Sequence, residues 1–337
     1  MSQQHPRRAA VLSAGSWGTA VAKIMADADT DVTVHARRSE IADAINTKRR
    51  NTGYFPDLEL PAAVRATTDP AAALDDADYL VLSIPAQSLR VSLATWAPHV
   101  GPHTVIVSLM KGIERDTGKR ASEVITEVTG LPAERVAVLS GPNLAREIMA
   151  GQPAAATVAC PDEAAALGIQ QACHTSYFRP YTSTDVIGCE LGGAVKNVIA
   201  LAVGIAAGMG LGGNAAALLT TRGLAETTRL AVAMGAHPAT LAGLAGLGDL
   251  VATCSSPFSR NRTFGTHLGK GLSVEEAIAA TRQTTEGVKS AKAILALAHA
   301  HDVEMPITDV ITTLLDGKVT LDEATAALMQ RPPKSER

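Results

Sequence analysis

The chain has 337 residues, with 30 lysines and arginines against 33 aspartates and glutamates and a formal net charge of −3. This length favours two domains, and the weak charge gives no strong attraction to nucleic acid or to a membrane surface. Only 3% of the residues are aromatic, so alanine, leucine and valine must fill most of the interior, which suits closely packed helices. The composition therefore favours a small, weakly charged partner.

Short β-rich segments alternate with helical ones from Ala9 to about Ser183, which is the pattern of a doubly wound parallel sheet. Several strand candidates are apolar without alternation, as is typical of strands covered on both faces. The candidates are VLSAG, DVTVHA, YLVLSIP, TVIVSL, VAVLSG and AAATVAC. Past about Asp185, segments such as Ala215 to Met234 and Val274 to His301 have helical spacing. We therefore predict an α/β domain followed by an all-α domain.

The remaining general features favour a cytoplasmic protein. The N-terminal MSQQHPRRAAVL lacks the apolar core of a signal peptide, so we expect a reducing compartment. The apolar run from Val198 to Leu211 is shorter than a membrane span and is predicted to be a buried helix. Disorder is expected at residues 1–7 and in the RPPKSER tail. None of the four cysteines forms a C-x-x-C pair, so buried free thiols are predicted at Cys160, Cys173, Cys189 and Cys254.

The first predicted strand is followed by a near match to the dinucleotide-binding pattern G-x-G-x-x-G, whose three glycine positions fall at Ser13, Gly15 and Gly18. Gly15 would let a pyrophosphate approach the backbone, and Gly18 would let the helix pack on the strand. A serine at the first position is tolerated if φ is negative and strained if φ is positive. We expect a weakened turn with an intact phosphate cradle; a turn that binds no ligand is the alternative.

Arg37 and Arg38 follow the second predicted strand, where NAD-specific folds place an acidic residue for the ribose hydroxyls. Two guanidinium groups there would suit the 2′-phosphate of NADP, so NADP is favoured over NAD. The alternative is that both arginines belong to a solvated strand end. Lys111 in SLMKGIE, and Gly141 and Asn143 in LSGPN, also follow predicted strands. The carboxyl ends of strands are where doubly wound sheets bind ligands.

Lys196 and Asn197 lie inside the apolar, glycine-rich segment ELGGAVKNVIA. Desolvation or a neighbouring cation would lower the pKa of such a lysine from about 10.4 toward neutrality, the condition for proton transfer to a reacting oxygen. A lysine that reaches the surface or forms a structural ion pair is the alternative. Asp249 follows among the small residues of AGLGDL.

A helix is predicted to begin at the motif SRNR, which contains Ser259, Arg260 and Asn261. A helix N-terminus with a guanidinium and an amide is a suitable phosphate site. Alternatively, Ser259 only caps the helix and the arginines face solvent. A metal site at His299 and His301 is not expected, because helical residues two positions apart point to different faces.

These motifs together resemble the bacterial NAD(P)-dependent glycerol-3-phosphate dehydrogenase family over nearly the whole chain. The ordered set is GSWGTA, KGIE, SGPN, GGAVKN, RGLAE, AGLGDL, SRNR, TTEG and VEMPIT. The resemblance implies a Rossmann domain over residues 1–187, a helical substrate and dimerisation domain over residues 188–337, and a homodimer. It also implies reversible reduction of dihydroxyacetone phosphate, a small phosphorylated triose, to sn-glycerol 3-phosphate for phospholipid synthesis. NADPH or NADH would be the cofactor, with no nucleic acid partner and no membrane insertion.

The resemblance also assigns roles to individual residues. Lys196 resembles the catalytic proton donor and acceptor, Asp249 would orient it, and Lys111 would help to polarise the reacting oxygen. The implied substrate-binding residues are Lys111, Gly141, Asn143, Lys196, Asn197, Asp249, Ser259, Arg260 and Asn261. The implied cofactor-binding residues are Gly15, Ser16, Trp17, Gly18, Arg37, Arg38, Lys111, Ala145, Arg260 and Glu286. No metal ligand is implied.

Two other interpretations remain open. One is a related hydroxyacid dehydrogenase with a Rossmann domain and a helical domain, against which SRNR after GLGDL favours a phosphorylated substrate. The other is a cofactor-binding pseudoenzyme, which is suggested by Ser13 because the family usually has glycine there. Against it, Lys196, Asp249 and Arg260 all carry the expected residue type. Trp17 could equally be a packing residue.

Overall fold

The computed structural model describes residues 7–281, 285–330, 332 and 335. The chain divides into two compact units, the first comprising Met1–Lys111 with Lys119–Glu190 and the second Gly112–Gly118 with Leu191–Arg337. The disorder predicted for the two termini falls almost entirely outside the described residues. At Arg7 the prediction is wrong, because this residue already begins the first strand.

The first unit is built on one sheet, which has eight strands among the described residues. The strands are Arg7–Leu12 (β1), Thr30–His35 (β2), Val64–Thr67 (β3), Tyr79–Leu82 (β4), Val105–Ser108 (β5), Val136–Ser140 (β6), Ala154–Ala159 (β7) and Phe178–Ser183 (β8). Their order is β3-β2-β1-β4-β5-β6-β7-β8. The first six follow the Rossmann order, which confirms the predicted fold class. The order reverses direction between β1 and β4, and ligands bind at the carboxyl ends of the strands at such a point.

All six strand candidates overlap a strand, although VLSAG shares only Val11 and Leu12 with β1, and β3 and β8 were not predicted. Both lie at the edges of the sheet, where a strand is only partly covered and its residues alternate between buried and exposed. Pro180 in β8 also weakened the strand pattern, and an edge strand tolerates the missing N–H of proline. The sheet is not wholly parallel, because β6 and β7 are antiparallel. The connection between these two strands contains only one short helix, Ala145–Met149. The chain reverses its direction within this connection.

Helices cover both faces of this sheet. They are Ser16–Asp27 (α1), Ser39–Lys48 (α2), Pro70–Leu74 (α3), Leu89–Trp96 (α4), Ala121–Thr129 (α5), Ala145–Met149 (α6) and Glu163–Cys173 (α7). Adjacent strand residues belong to different cores: Val11 packs with α1 and α7 residues, whereas Leu12 packs with α4 and α5 residues. This double burial explains why the central strands are continuously apolar. The four cysteines are buried free thiols, as predicted.

The described residues of the second unit form helices without strands, as predicted. The helices are Val186–Gly208 (α8, which begins in the first unit), Gly213–Ala233 (α9), Pro238–Ala242 (α10), Asp249–Ser255 (α11), Arg260–Gly269 (α12), Val274–Thr281 (α13), Glu286–Ala300 (α14), Pro306–Leu315 (α15) and Leu321–Met329 (α16). A π-helical turn at Leu244–Gly248 precedes α11. Helix α8 is long and apolar enough to cross a membrane, but 94% of its most apolar window is buried inside the protein.

Glycines bring two neighbouring elements into backbone contact with α8. A Cβ on Gly204 would lie 2.1 Å from the carbonyl oxygen of Arg262 in α12. A Cβ on Gly192 would lie 2.5 Å from the carbonyl oxygen of Ala245 in the π-helical turn. Side chains larger than hydrogen would force these elements apart. The AGLGDL and SRNR motifs are therefore held directly against the helix that carries Lys196.

Candidate active site

The fingerprint turn joins the end of β1 to the start of α1, and its first position is strained. Ser13 has a φ of +136°, in the region that favours glycine. From the sequence, serine at this position is expected to be tolerated at a negative φ and strained at a positive φ. The structure has the strained conformation. A Cβ on Gly18 would lie only 2.3 Å from the carbonyl oxygen of Ser13, so Gly18 has the close-packing role that the pattern assigns to it.

The N-terminus of α1 is open to an anion. Gly15 occupies the N-cap position, no side chain caps the helix, and the first turn contains no acidic residue. The first backbone N–H groups and the positive end of the helix dipole are therefore available. The buried indole Nε1 of Trp17 has no hydrogen-bond partner in the part of the chain that the structure describes, although the ring also packs against the hydrophobic core. These features fit a bound diphosphate.

Arg37 and Arg38 are both exposed beyond the end of β2. Arg38 Nε lies 3.9 Å from a carboxylate oxygen of Glu40, and both side chains are more than half exposed. Such a pair contributes little. A Cβ on Gly53 would lie 3.1 Å from Nη2 of Arg38, so the guanidinium lies close to the backbone of Gly53. The position and exposure of both arginines fit a phosphate ligand.

A second group of residues lies at the carboxyl ends of β5 and β6. Lys111 Nζ donates a hydrogen bond of 3.0 Å to the carbonyl oxygen of Gly141. Gly141 has a φ of +151°, and a Cβ there would lie 2.9 Å from Ala156 Cα. Neither polar atom of the buried Asn143 side chain has a hydrogen-bond partner among the described residues. An unpaired buried amide is costly, so this side chain is suited to a ligand. Ala145 is the first residue of α6.

In the second unit, Lys196 and Asp249 form a buried ion pair. Lys196 Nζ lies 2.5 Å from Asp249 Oδ1 and 2.7 Å from Thr253 Oγ1. Only 7% of Lys196 and 1% of Asp249 is exposed. The carboxylate and the hydroxyl together fix the position of the lysine amine. Lys196 therefore does not extend to bulk water.

Thr253 belongs to this group, although the sequence analysis missed it. It lies four residues after Asp249 on α11, and its hydroxyl donates to the Asp249 carbonyl oxygen at 2.7 Å. Thr253 Oγ1 also accepts a hydrogen bond from Lys196 Nζ. The four-residue spacing from Asp249 on a helix was the available signal, because residues i and i+4 share a face.

Asn197 and Asn261 are joined across α8 and α12. Asn261 Nδ2 donates to Asn197 Oδ1 at 2.9 Å, and the backbone N–H of Gly287 donates to Asn261 Oδ1 at 3.0 Å. A Cβ on Gly287 would lie 2.6 Å from the carbonyl oxygen of Asn197. Helices α8, α12 and α14 therefore meet at these two amides. Asn197 is the residue that follows Lys196 on α8.

Ser259 caps α12, which is the alternative that the sequence left open. Its hydroxyl accepts from the backbone N–H of Arg262 at 3.3 Å. Arg260 is the first residue of the helix and is exposed. A guanidinium at an N-terminal turn that contains no acidic residue is a favourable environment for a phosphate.

Glu286 and Thr285 lie at the start of α14 with unpaired buried oxygens. Within residues 7–281, 285–330, 332 and 335, neither Glu286 Oε2 nor Thr285 Oγ1 has a hydrogen-bond partner. Burial raises the pKa of the Glu286 carboxyl, and the charges of Lys289 and Arg260 act against this shift. The TTEG motif contains Glu286, whereas Thr285 was not singled out from the sequence. Among the described residues, no three histidine, cysteine or acidic side chains are grouped as metal ligands.

Comparison with known proteins places this geometry in context. The family model described as the N-terminus of NAD-dependent glycerol-3-phosphate dehydrogenase matches residues 8–166, and the model of its C-terminus matches residues 185–326. A glycerol-3-phosphate dehydrogenase (NAD(P)+) from Streptomyces griseus is 60% identical over 99% of both chains. One from Corynebacterium kroppenstedtii is 56% identical over 97% of this chain and 99% of its own.

The fold of this chain is also similar to that of solved structures. The crystal structure of glycerol-3-phosphate dehydrogenase from Coxiella burnetii has a TM-score of 0.91 and 35% sequence identity, covering 97% of this chain and 99% of its own. A D-mandelate dehydrogenase in complex with NADH has a TM-score of 0.59 at 17% identity, covering 92% of this chain and 98% of its own. This second likeness concerns the fold alone.

Proposed function

The chain belongs to the NAD-dependent glycerol-3-phosphate dehydrogenase family, and we propose that it reversibly reduces dihydroxyacetone phosphate to sn-glycerol 3-phosphate. The observation that carries this proposal is the buried ion pair of Lys196 with Asp249. A buried ammonium held by a carboxylate and a hydroxyl is a proton donor of fixed position, which a ketone reduction requires.

Lys196 has the central role in the proposed mechanism. When bound, the reduced nicotinamide supplies the hydride that reduces the ketone carbon. The Lys196 ammonium donates a proton to the oxygen, which would otherwise become an alkoxide, and the neutral amine takes a proton back in the oxidative direction. Asp249 and Thr253 orient the amine. Asn197 and Lys111 are proposed to polarise the same oxygen, as the family resemblance implies.

The substrate phosphate is assigned to the N-terminus of α12. Arg260 would form a charge-assisted pair with it, and Asn261 would help to fix its position. Fixing the phosphate also fixes the reacting ketone, so its loss would lower turnover as well as affinity. The roles of Ser259, Gly141 and Asn143 around the triose rest on the family resemblance, and the unpaired Asn143 amide supports its share.

Most of the residues that are proposed to hold the cofactor belong to the first unit. The N-terminus of α1, with Gly15, Ser16, Trp17 and Gly18, would bind the pyrophosphate. Arg37 and Arg38 would bind the 2′-phosphate, which favours NADP over NAD. Lys111, Ala145, Arg260 and Glu286 complete the proposed cofactor set by family resemblance. The open helix end and the unpaired Trp17 donor are the structural features that fit a dinucleotide.

The biological setting is also part of this proposal. We place the enzyme in the cytoplasm as a homodimer, with glycerol 3-phosphate supplied to phospholipid synthesis. Residues 1–187 would form the cofactor domain, and residues 188–337 the substrate and dimerisation domain. Neither nucleic acid nor membrane insertion is required by this function, and the extensive burial of α8 supports the second point.

A direct assay tests the proposed activity. Purified protein is mixed with NADPH or NADH and with dihydroxyacetone phosphate, and the absorbance of the reduced cofactor is followed. Unphosphorylated dihydroxyacetone and a 2-oxo acid serve as comparison substrates, the latter because a hydroxyacid dehydrogenase shares the fold. We expect the cofactor to be oxidised with dihydroxyacetone phosphate and with neither comparison substrate. Reduction of the 2-oxo acid with no reaction of the triose phosphate would contradict the proposal.

A further inference from the structure

Asn51 is a buried residue with no role in the motifs described above. It lies in the segment 49–60 between α2 and β3, and only 1% of it is exposed. Its Nδ2 donates to the carbonyl oxygen of Ala14 at 2.9 Å and to Thr19 Oγ1 at 2.8 Å. Its Oδ1 accepts from the backbone N–H of Gly53 at 3.2 Å. The amide is therefore bonded to the fingerprint turn, to helix α1 and to its own segment.

The bond to Ala14 determines the orientation of a particular peptide group. The Ala14 carbonyl belongs to the same planar peptide as the N–H of Gly15, and in a trans peptide these two groups point in opposite directions. All peptide bonds described here are trans. By holding the carbonyl on one side, Asn51 turns the Gly15 N–H to the other side. The bond to Thr19 ties the same peptide to the first turn of α1.

The turn that Asn51 supports is the strained one. Ser13, with its φ of +136°, immediately precedes Ala14. Glycine at this position would adopt the conformation without strain, whereas serine needs surrounding contacts to keep it there. A fully buried amide with three hydrogen bonds is such a contact.

The segment that carries Asn51 also lies beside Arg38 of the proposed cofactor site and beside Arg146, which is outside the proposed set. Gly53 lies close to the Arg38 guanidinium, since a Cβ on Gly53 would lie 3.1 Å from Arg38 Nη2. Asp57 forms an ion pair of 2.6 Å with Arg146, the neighbour of Ala145 in α6. This ion pair is exposed and contributes little by itself. Asn51, in contrast, is buried and anchors the segment near its N-terminal end.

We propose that Asn51 is a positioning residue for the dinucleotide, acting through the Ala14–Gly15 peptide and through Gly53. It aims the Gly15 N–H at the pyrophosphate and keeps segment 49–60 against Arg38. It touches no reacting atom. The inference rests on the proposed function, because it assumes that the cradle binds a dinucleotide. Its effect is preorganisation, so its loss weakens cofactor binding rather than the chemical step.

Substitution Asn51→Ala tests the inference. We expect the Kd for NADPH, measured by titration of cofactor fluorescence, to rise about tenfold, which corresponds to about 1.4 kcal/mol. At saturating NADPH, kcat and the KM for dihydroxyacetone phosphate should stay close to those of the wild type. A purely structural role would lower Tm without this separation between cofactor binding and turnover.

Asn46→Ala is the matched control. Asn46 lies on α2, and its amide also bonds to backbone groups, donating to Ala66 O at 2.9 Å and accepting from Ala66 N at 2.8 Å. Both variants should lose stability, but only Asn51→Ala should lose cofactor affinity. Equal Kd values for the two variants would overturn the inference.

Thr19→Val decides the matter if Asn51→Ala does not fold. Valine has nearly the shape of threonine and removes one acceptor of Asn51 without leaving a cavity. A raised Kd for NADPH supports the inference, and an unchanged Kd refutes it. Cofactor binding by the wild type distinguishes failure of this inference from failure of the proposed function. If it binds neither NADPH nor NADH, the proposed function fails, whereas normal wild-type binding with unaffected variants removes only the role of Asn51.

Discussion

Replacing Ser13 by glycine should stabilise the protein, because the fingerprint turn holds this residue at a φ of +136°. A residue with a side chain in a sparsely populated backbone region is strained by about 1–3 kcal/mol. Glycine removes this strain but adds about 0.4–1 kcal/mol of entropy to the unfolded chain. The expected net gain in the free energy of unfolding is about 1 kcal/mol, or about 2–4 °C in Tm for a unit of this size.

The assay is denaturant unfolding of wild type, Ser13→Gly and Ser13→Ala, combined with NADPH titration. Alanine keeps the Cβ and therefore keeps the strain, so Ser13→Ala should show no gain in stability. Cofactor binding should tighten modestly in Ser13→Gly, because a relaxed turn presents the Gly15 amide at lower cost. If Ser13→Gly is no more stable than Ser13→Ala, the backbone at this position is unstrained and the reasoning is wrong.

Three further predictions concern the second unit and the adenosine end of the cofactor. Lys196→Ala should remove most turnover while leaving NADPH binding largely intact. As a control, Lys292→Ala, which breaks an ion pair with Asp316, should stay active. Full activity of Lys196→Ala would exclude the proton-transfer role. Joint replacement of Arg37 and Arg38 by alanine should weaken NADPH binding far more than NADH binding, and equal losses would count against 2′-phosphate recognition. Glu226→Ala should lower the free energy of unfolding by about 2–4 kcal/mol, because its carboxylate accepts bonds from the N–H groups of Ile307 and Thr308 and from the Thr308 hydroxyl. Burial raises the pKa of Glu226, so the folded state keeps this proton to higher pH than the unfolded state, and the stability difference between wild type and variant should shrink as pH rises above about 4.5. Chemical denaturation across this pH range measures it, and a difference that grows with pH would contradict the assignment.

Local patterns identified most of the sheet and most of the candidate site. Continuous apolar runs located the strands that are covered on both faces, and the same criterion missed β3 and β8 because edge strands are covered on one side only. Motif spacing located Lys196, Asp249 and the start of α12, since each depends on residue types within a few positions. Thr253 was missed although its four-residue spacing from Asp249 was an available signal. Thr285 was missed because a threonine beside a helix start has no distinctive local pattern.

The sequence by itself determined the order of elements, the fold class and the residue types available for chemistry, because hydrophobic period and short motifs are properties of neighbouring residues. Tertiary structure alone decided which of these residues meet. Lys196 and Asp249 are 53 positions apart, and Asn51 is 37 positions from the Ala14 carbonyl that it holds. Those contacts arise from close packing of helices and loops over long chain separations. The same packing holds Ser13 at a positive φ, which serine does not favour on its own.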